Sequence, residues 1–237
     1  MKIFITGASS GIGFATAIRY AEAGHELVLL GRTKEHVLQA ETRLRSAVPN
    51  ARFSFKSADL LIKEDRESLY QELKGETLFD VFIHSAGFFL DGTLLGQDQE
   101  SFAKMDLLHV QVLMELNQRL FSHVRQPGGR IVIVGSTAGI EAYAARGRVS
   151  VGQAYSVTKW AVRGYALNLR EEAKAAGVGV TLISPGSVYT EMWEGTDIPT
   201  DRFCTPQDVA ELIYTTTTIS ARSVVEEIVI RPLHGNV

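Results

Sequence analysis

Tyr155 and Lys159 stand four residues apart in a stretch of helical character, which sets both side chains on one face and lets their tips reach one point. A free tyrosine has a pKa of about 10, too high for proton transfer near neutrality. An ammonium beside it favours the phenolate and brings it into working range, so that the phenol can exchange a proton with a substrate oxygen. Seven Tyr and eight Lys in 237 residues yield about 0.24 such pairs by chance, so the pair takes its meaning from its surroundings.

The second constellation is the opening MKIFITGASSGIG. Lys2 to Thr6 is an apolar run of strand type, broken at Gly7. Gly11 and Gly13 follow before a helical pattern begins at Phe14. A strand, a glycine turn and a helix N-terminus in that order make an anion site, because the backbone can approach a pyrophosphate whose charge meets free N–H groups. The spacing GxxxGxG differs from the GxGxxG fingerprint, and a glycine turn also serves plain packing. After the next strand come Arg32 and Thr33, with no acid before Glu35. In a dinucleotide fold an acid here accepts the ribose 2′-OH, whereas an Arg accommodates a 2′-phosphate. The functional reading is therefore NADP(H), and the plain one is a solvated Arg at the start of a helix.

The elements that must position these groups read as an alternation. Strands are expected at Lys2 to Thr6, His25 to Leu30, Ala51 to Ser57, Val81 to Ser85, Ile131 to Val134, Gly179 to Ile183 and Glu226 to Ile230. Helices are expected at Phe14 to Ala23, Thr33 to Ala47, Glu64 to Lys74, Gln97 to Val124, Ala154 to Ala176 and from Thr205-Pro206 to about Thr217. The longest, from Gln97, is read as one continuous helix with Phe102, Met105, Leu108, Val112, Leu116 and Leu120 on its buried face. Ile140 to Gln153 is irregular, and Ser187 to Cys204 reads as a mobile lid. The fold class is α/β: a single-domain, Rossmann-type, doubly wound sheet of seven parallel strands with helices on both faces.

Composition bounds the function. At 237 residues, 45% hydrophobic and 22% charged, the chain fits one domain spanning residues 1–237. A net charge of -3 without a Lys/Arg run disfavours nucleic acid. No segment approaches eighteen uninterrupted apolar residues, so no membrane span is expected. The single Cys204 excludes an internal disulfide and suits a reducing compartment. With the glycine stretch arriving too early for a signal peptide, the expected location is the cytoplasm. His25, His36, His84, His109, His123 and His234 show no ligand spacing, so no metal is expected, and Cys204 reads as an inert lid residue.

TGASSGIG at Thr6 to Gly13, Ser136 after a buried strand, YSVTK at Tyr155 to Lys159 and PGSVYT at Pro185 to Thr190 occur in one order. In this the chain resembles the short-chain dehydrogenase/reductase family over nearly its whole length. The resemblance implies an NADP(H)-dependent oxidoreductase moving a hydride between the nicotinamide and a carbonyl or secondary alcohol. It implies that Gly7, Ser10, Gly11 and Gly13 hold cofactor phosphates, with Ser9 and Ile12 in the same loop, and that Asp59 and Leu60 lie at the adenine. Ser85, Ala86 and Gly87 approach the ribose and nicotinamide side, and Pro185, Gly186, Val188 and Thr190 the nicotinamide end. Ser136 orients the substrate carbonyl, Tyr155 is the general acid/base, and Lys159 lowers the Tyr pKa and holds the nicotinamide ribose. Arg32 and Thr33 match the NADP(H)-preferring members.

Three departures accompany this pattern. His84-Ser85-Ala86-Gly87 replaces the family's Asn-Asn-Ala-Gly, which loses an amide tie within the sheet. His109 falls where the long helix usually supplies an active-site Asn. With an unperturbed pKa of about 6.5 it is read either as joining the proton relay from Lys159 and Tyr155 and taking a proton near neutrality, or as a helix histidine that packs or faces solvent. Ser136 and Tyr155 are 19 residues apart, which marks an insertion between Ile140 and Gln153. The competing reading is a nucleotide-sensing NADP-binding protein with little turnover. Phe88, Phe89, Tyr143, Met192 and Trp193 suggest an apolar small-molecule substrate, while Arg146 and Arg148 suit an acid group or water. A homodimer or homotetramer is expected, covering Trp160 and Leu167.

Overall fold

A computed structural model of the chain describes residues 1–90, 92–96, 98–141, 152–193, 195 and 197–237. Seven strands form one parallel sheet in the order β3-β2-β1-β4-β5-β6-β7. They are β1 (Lys2–Thr6), β2 (Glu26–Gly31), β3 (Arg52–Ser57), β4 (Val81–His84), β5 (Arg130–Val134), β6 (Gly179–Pro185) and β7 (Glu227–Ile230). Between them run α1 (Gly11–Glu22), α2 (Lys34–Ala47), α3 (Lys63–Leu73), α4 (Gln99–Asp106), α5 (Leu113–Leu120), α6 (Gln153–Lys174) and α7 (Pro206–Thr218).

The inner strands β1, β2, β4, β5 and β6 are largely apolar on both faces because helices cover both, while the edge strand β3 alternates Phe53 and Phe55 with polar residues. Alternation within β1 shows the division. Ile3 and Ile5 join Phe14, Ala17, Tyr20, Leu44, Val209 and Ile213 under α1, α2 and α7. Phe4 points the other way, into a cluster with Leu69, Leu73, Leu113, Leu116, Val162 and Ala166 from α3, α5 and α6. Each fully buried Leu or Ile in these layers contributes about 1.5–3 kcal/mol of transfer free energy. The start of α7 is fixed by a capping box: Thr205 Oγ1 accepts from the Asp208 N–H at 3.1 Å, and the Asp208 carboxylate accepts from the Thr205 N–H at 2.8 Å.

The chain winds outward from β1 through β2 to β3, then returns to place β4 on the other side of β1. The strand order therefore reverses between β1 and β4, where Thr6 stands in register with His84. A crevice outside the carboxyl ends of these two strands is the expected place for a ligand in such a sheet.

The segment read as one long helix departs from that expectation. Asp98 caps α4 by accepting from the Ser101 N–H at 2.9 Å, and a π-helical segment, Leu107–Val112, then separates α4 from α5. A short 3-10 turn, Phe121–His123, ends it. The spacing did not announce the interruption: the stripe from Phe102 to Leu120 covers 18 residues, about five turns of a regular helix, so its period is that of an uninterrupted α-helix. The expected start at Gln97 lies outside the described residues.

Candidate active site

The glycine turn at the end of β1 forms one wall of the crevice. Gly7 has φ +68, and a Cβ on it would lie 2.8 Å from the Ala86 backbone. A Cβ on Gly13 would lie 2.2 Å from the Gly7 carbonyl oxygen, so helix, turn and the segment after β4 meet at distances only glycines allow. Thr6 adds the polar tie: its hydroxyl oxygen accepts from the N–H groups of Ser85 and Ala86, both at 3.2 Å. Ser10 caps α1 in extended conformation without using its side chain on the helix. The first-turn N–H groups of α1, with Ser9, Gly11 and Ile12 around them, thus fit a phosphate group. Thr190 closes the far side, its Cγ2 lying 3.2 Å from where a Gly11 Cβ would stand.

At the end of β2, Arg32 is exposed and its side chain forms no hydrogen bond or ion pair among the described residues. Thr33 is the N-cap of α2, accepting from the His36 N–H at 3.2 Å. After β3, Asp59 Oδ1 accepts from the Leu61 N–H at 2.9 Å, and its own N–H donates to Asp65 Oδ2 at 2.8 Å. Leu60 is buried in the core below. Pro185 ends β6, the Gly186 N–H donates to the Ile230 carbonyl at 2.7 Å, and Val188 is buried.

The groups with chemistry converge beside this crevice. A Cβ on Gly87 would stand 3.4 Å from His109 Nε2 and 3.9 Å from Lys159 Nζ. The Tyr155 ring meets the rings of Phe89 and His109 edge-on at 5.3 and 5.6 Å, and Lys159 Nζ lies 5.4 Å from its centroid. Lys159 is buried, and its ammonium donates to the Val134 carbonyl at 3.4 Å. Burial pulls its pKa down to about 8. Ser136 caps a 3-10 turn, Thr137–Gly139, through an Oγ that accepts from the Ala138 N–H at 3.1 Å. That leaves its hydroxyl proton to donate toward a ligand oxygen. The turn is locked to α6 by the Ser156 hydroxyl, which donates to the Ala138 carbonyl at 2.6 Å.

His109 sits in this cluster, carried by the π-helical segment, but not as a group that titrates near neutrality. Its Nε2 accepts from the Phe88 N–H at 3.2 Å, so the proton resides on Nδ1 and is donated to Thr158 Oγ1 at 2.9 Å. Thr158 in turn donates to the Tyr155 carbonyl at 2.8 Å. Burial first, and the charge of Lys159 second, hold the imidazole pKa well below 6.5. The expected uptake of a proton near neutrality is therefore corrected: both ring nitrogens are engaged by the neutral form, and a second cation would face Lys159 in a buried site. His109 instead braces the first turn of α6.

His84 is neutral for the same reason, burial taking its pKa to about 3. Asn117 Nδ2 donates to the Leu113 carbonyl at 2.9 Å, so its Oδ1 accepts from His84 Nε2–H at 3.1 Å. The amide tie that the sequence seemed to lose is thus replaced by one from β4 to α5. A cavity of about 20 Å³, the size of one water, lies between Thr6, His84, His109 and Lys159.

Beyond β6, the segment read as a lid is closed at its base. Val188 and Cys204 form a parallel bridge, with the Tyr189 N–H donating to the Cys204 carbonyl and the Cys204 N–H to the Ser187 carbonyl, both at 3.0 Å. Cys204 is buried there, which raises its thiol pKa. The rings of Tyr189 and Trp193 pack edge-on against Phe203 at 5.5 and 5.0 Å. Tyr143, Arg146 and Arg148 lie outside the described residues, as does the side chain of Met192. Among the described residues no cluster of three His, Cys, Asp or Glu could hold a metal.

An open cleft of about 510 Å³ lies at the opposite, amino-terminal edge of the sheet, but its charges pair among themselves. Lys2 meets Glu76 at 2.7 Å and Glu26 at 3.3 Å, Arg125 pairs with Asp80, and Arg52 donates to the Gly24 carbonyl at 2.9 Å.

The residues that sequence reasoning missed are the braces: Thr158, Ser156 and Phe88 through its N–H. Ser156 and Thr158 lie inside the YSVTK stretch, but their bracing roles arise from contacts across the fold.

The chain matches the family model described as short chain dehydrogenase over residues 1–199. An uncharacterized oxidoreductase of Staphylococcus aureus (strain USA300) is 31% identical over 235 residues, covering 97% of this chain and 96% of that protein. Among solved structures, an alcohol dehydrogenase from the archaeon Thermococcus sibiricus, complexed with 5-hydroxy-NADP, aligns with a TM-score of 0.86 at 22% identity, covering 100% of this chain and 98% of its own. A short chain dehydrogenase from Burkholderia cenocepacia in complex with NADP aligns with a TM-score of 0.83 at 22% identity, covering 97% of this chain and 96% of its own. At these identities the two structures speak for the fold.

Proposed function

The chain belongs to the short-chain dehydrogenase family, and from that premise we propose that it is an NADP(H)-dependent oxidoreductase acting on a small-molecule carbonyl or secondary alcohol. The observation that carries the reading is Lys159, a buried cation set 5.4 Å from the Tyr155 ring and paired with no carboxylate among the described residues. A charge held at such cost has a use where the neighbouring phenol must ionise.

In this reading the Lys159 ammonium favours the Tyr155 phenolate, and Tyr155 gives a proton to the substrate oxygen during reduction and removes it during oxidation. The Ser136 hydroxyl donates to the same oxygen and orients it. NADP(H), when bound, supplies or accepts the hydride. The glycine turn and the N-terminus of α1 would hold its phosphates, with Asp59 and Leu60 at the adenine and Pro185, Gly186, Val188 and Thr190 at the nicotinamide end. The cavity beside Lys159 suits a water through which its protons exchange, while His84 and His109 stay neutral around it. Residues 187–205 would form the substrate lid, and its aromatic rings with Phe88 and Phe89 favour an apolar substrate.

Oxidation of NADPH against a panel of carbonyl compounds tests the reading, alongside cofactor binding by fluorescence. Turnover is the expected result. Binding without turnover on any compound would favour a nucleotide-sensing role instead.

Arg32 is exposed and without a partner among the described residues, so it is available to a 2′-phosphate; that structural neighbours hold NADP supports the cofactor, and Arg32 is this chain's own candidate for reading it. A charge-assisted hydrogen bond is worth about 1.5–3 kcal/mol. NADPH should therefore bind roughly 10–100-fold tighter than NADH, and Arg32→Asp should abolish or reverse the preference. Equal KM values for the two cofactors in the wild type would refute the assignment.

Assembly is proposed from α6, where Val157 and Trp160 are 45% and 46% exposed, and from Met114 on α5, 38% exposed. Leu167 is half-buried and contributes less than expected. A second copy covering this face gives a homodimer or homotetramer. Sedimentation at micromolar concentration should show the oligomer, and Trp160→Glu should split it; a monomeric wild type is the contrary result. Among the described residues no helix is long and apolar enough to cross a membrane.

A further inference from the structure

We propose that Asn236 is a positioning residue that sets the distance between the turn after β5 and the turn after β6. The proposal rests on the reading above, in which the first turn carries the carbonyl-orienting Ser136 and the second faces the nicotinamide.

These two turns need an external tie. The pairing of β5 with β6 ends at Val134 and Ile183, extended by one bond from the Gly135 N–H to the Ile183 carbonyl at 2.7 Å. Past that point no backbone hydrogen bond joins residues 136–141 to residues 186–190 among the described residues. The side chain of Asn236 spans the gap. Its Oδ1 accepts from the Ser187 N–H at 3.1 Å, and its Nδ2 donates to Thr137 Oγ1 at 3.1 Å. Both partners are buried. The seat is shaped for the amide: a Cβ on Gly186 would lie 2.0 Å from Asn236 Oδ1. The segment around Asn236 is itself held, since the Val237 N–H donates to Ser187 Oγ at 3.2 Å and Arg231 pairs with Glu141 at 2.9 Å.

One planar amide thus grips one residue beyond Ser136 and one residue beyond Gly186. A planar amide fixes its two partners at a set separation, which a hydrophobic contact does not. Hydride transfer is sensitive to that separation, because a misplacement of about 1 Å costs on the order of 100-fold in rate. Asn236 touches none of the reacting groups and acts through the two turns.

The test uses the full chain with Asn236→Ala and Thr137→Val, singly and together. Each single variant removes the bridge from a different end, so each should lower kcat about tenfold and raise the KM for NADPH, and the double variant should be no worse than either. Hydrogen exchange at the Ser187 amide and NADPH binding by fluorescence need no substrate. Exchange at Ser187 should accelerate about tenfold in Thr137→Val as well as in Asn236→Ala, although Thr137 does not touch Ser187. Losses that multiply in the double variant, or wild-type exchange and wild-type kcat in Thr137→Val, overturn the proposal. A wild type that binds NADPH without turnover overturns the function reading instead, and the exchange experiment then decides on Asn236 by itself.

Discussion

Tyr155→Phe should lower kcat/KM for carbonyl reduction by about 10³-fold while leaving NADPH affinity within about threefold of wild type. The substitution removes one oxygen and keeps the ring, so the edge-on contacts with Phe89 and His109 persist and α6 keeps its place. On the proposed reading, what disappears is the acid that protonates the substrate oxygen, and about 4 kcal/mol of transition-state stabilisation goes with it. Ser136 can still donate a hydrogen bond but cannot complete the transfer, because no base stands behind it among the described contacts. Single-turnover kinetics under saturating NADPH would isolate the step. A Phe variant with turnover within tenfold of wild type would remove Tyr155 from the chemistry.

Lys159→Met should abolish turnover and yet stabilise the fold. The Lys159 pKa is about 8 in the folded chain against 10.5 for the free side chain, so folding disfavours its charged form. For a group shifted downward in this way the unfolded chain binds more protons between the two values, and stability rises with pH across that window. The cost is fully present below about pH 8 and fades as the pH approaches 10.5. It amounts to roughly 3 kcal/mol at neutrality, the order given by two to three pH units of displacement. A methionine of similar length removes it. The variant should melt several degrees higher than wild type at pH 7, and the two should converge on raising the pH toward 10. Melting curves of the cofactor-free proteins at pH 7 and pH 10 measure this. Equal melting temperatures at pH 7 would mean that the ammonium is better solvated than its burial implies.

Much of the fold was legible because inner parallel strands covered on both faces leave unbroken apolar runs and the edge strand β3 shows alternation, so that each of the seven appeared within a residue or two of its observed limits. Tyr155 and Lys159 were legible because helix geometry alone brings positions four apart together. The roles of Asp59, Ala86 and Thr190 came from family resemblance, since no local pattern announces them. The state of His109 was not legible: an imidazole is a base in water, and only the fold reveals that an N–H from Phe88 occupies the nitrogen that would take the proton. The π-helical turn was not legible, because the apolar stripe from Phe102 to Leu120 keeps the roughly 3.6-residue period of a regular helix. Asn236 could not be read at all, because its partner Thr137 lies 99 residues away and an Asn near a chain end has no distinguishing neighbours.

The bridge between Val188 and Cys204 has a meaning in terms of chain entropy. It fastens the two ends of residues 189–203 to each other, so that the segment is a closed loop whose ends the sheet already holds. Doubling such a loop costs only about 0.6 kcal/mol in closure entropy, a small fraction of what the two core layers supply. Changes in the length of its exposed part are therefore nearly invisible to folding. On the proposed reading, the stretch between Thr190 and the buried Phe203 meets the substrate, and its length can change at little cost to the core that would hold the cofactor and the proton donor.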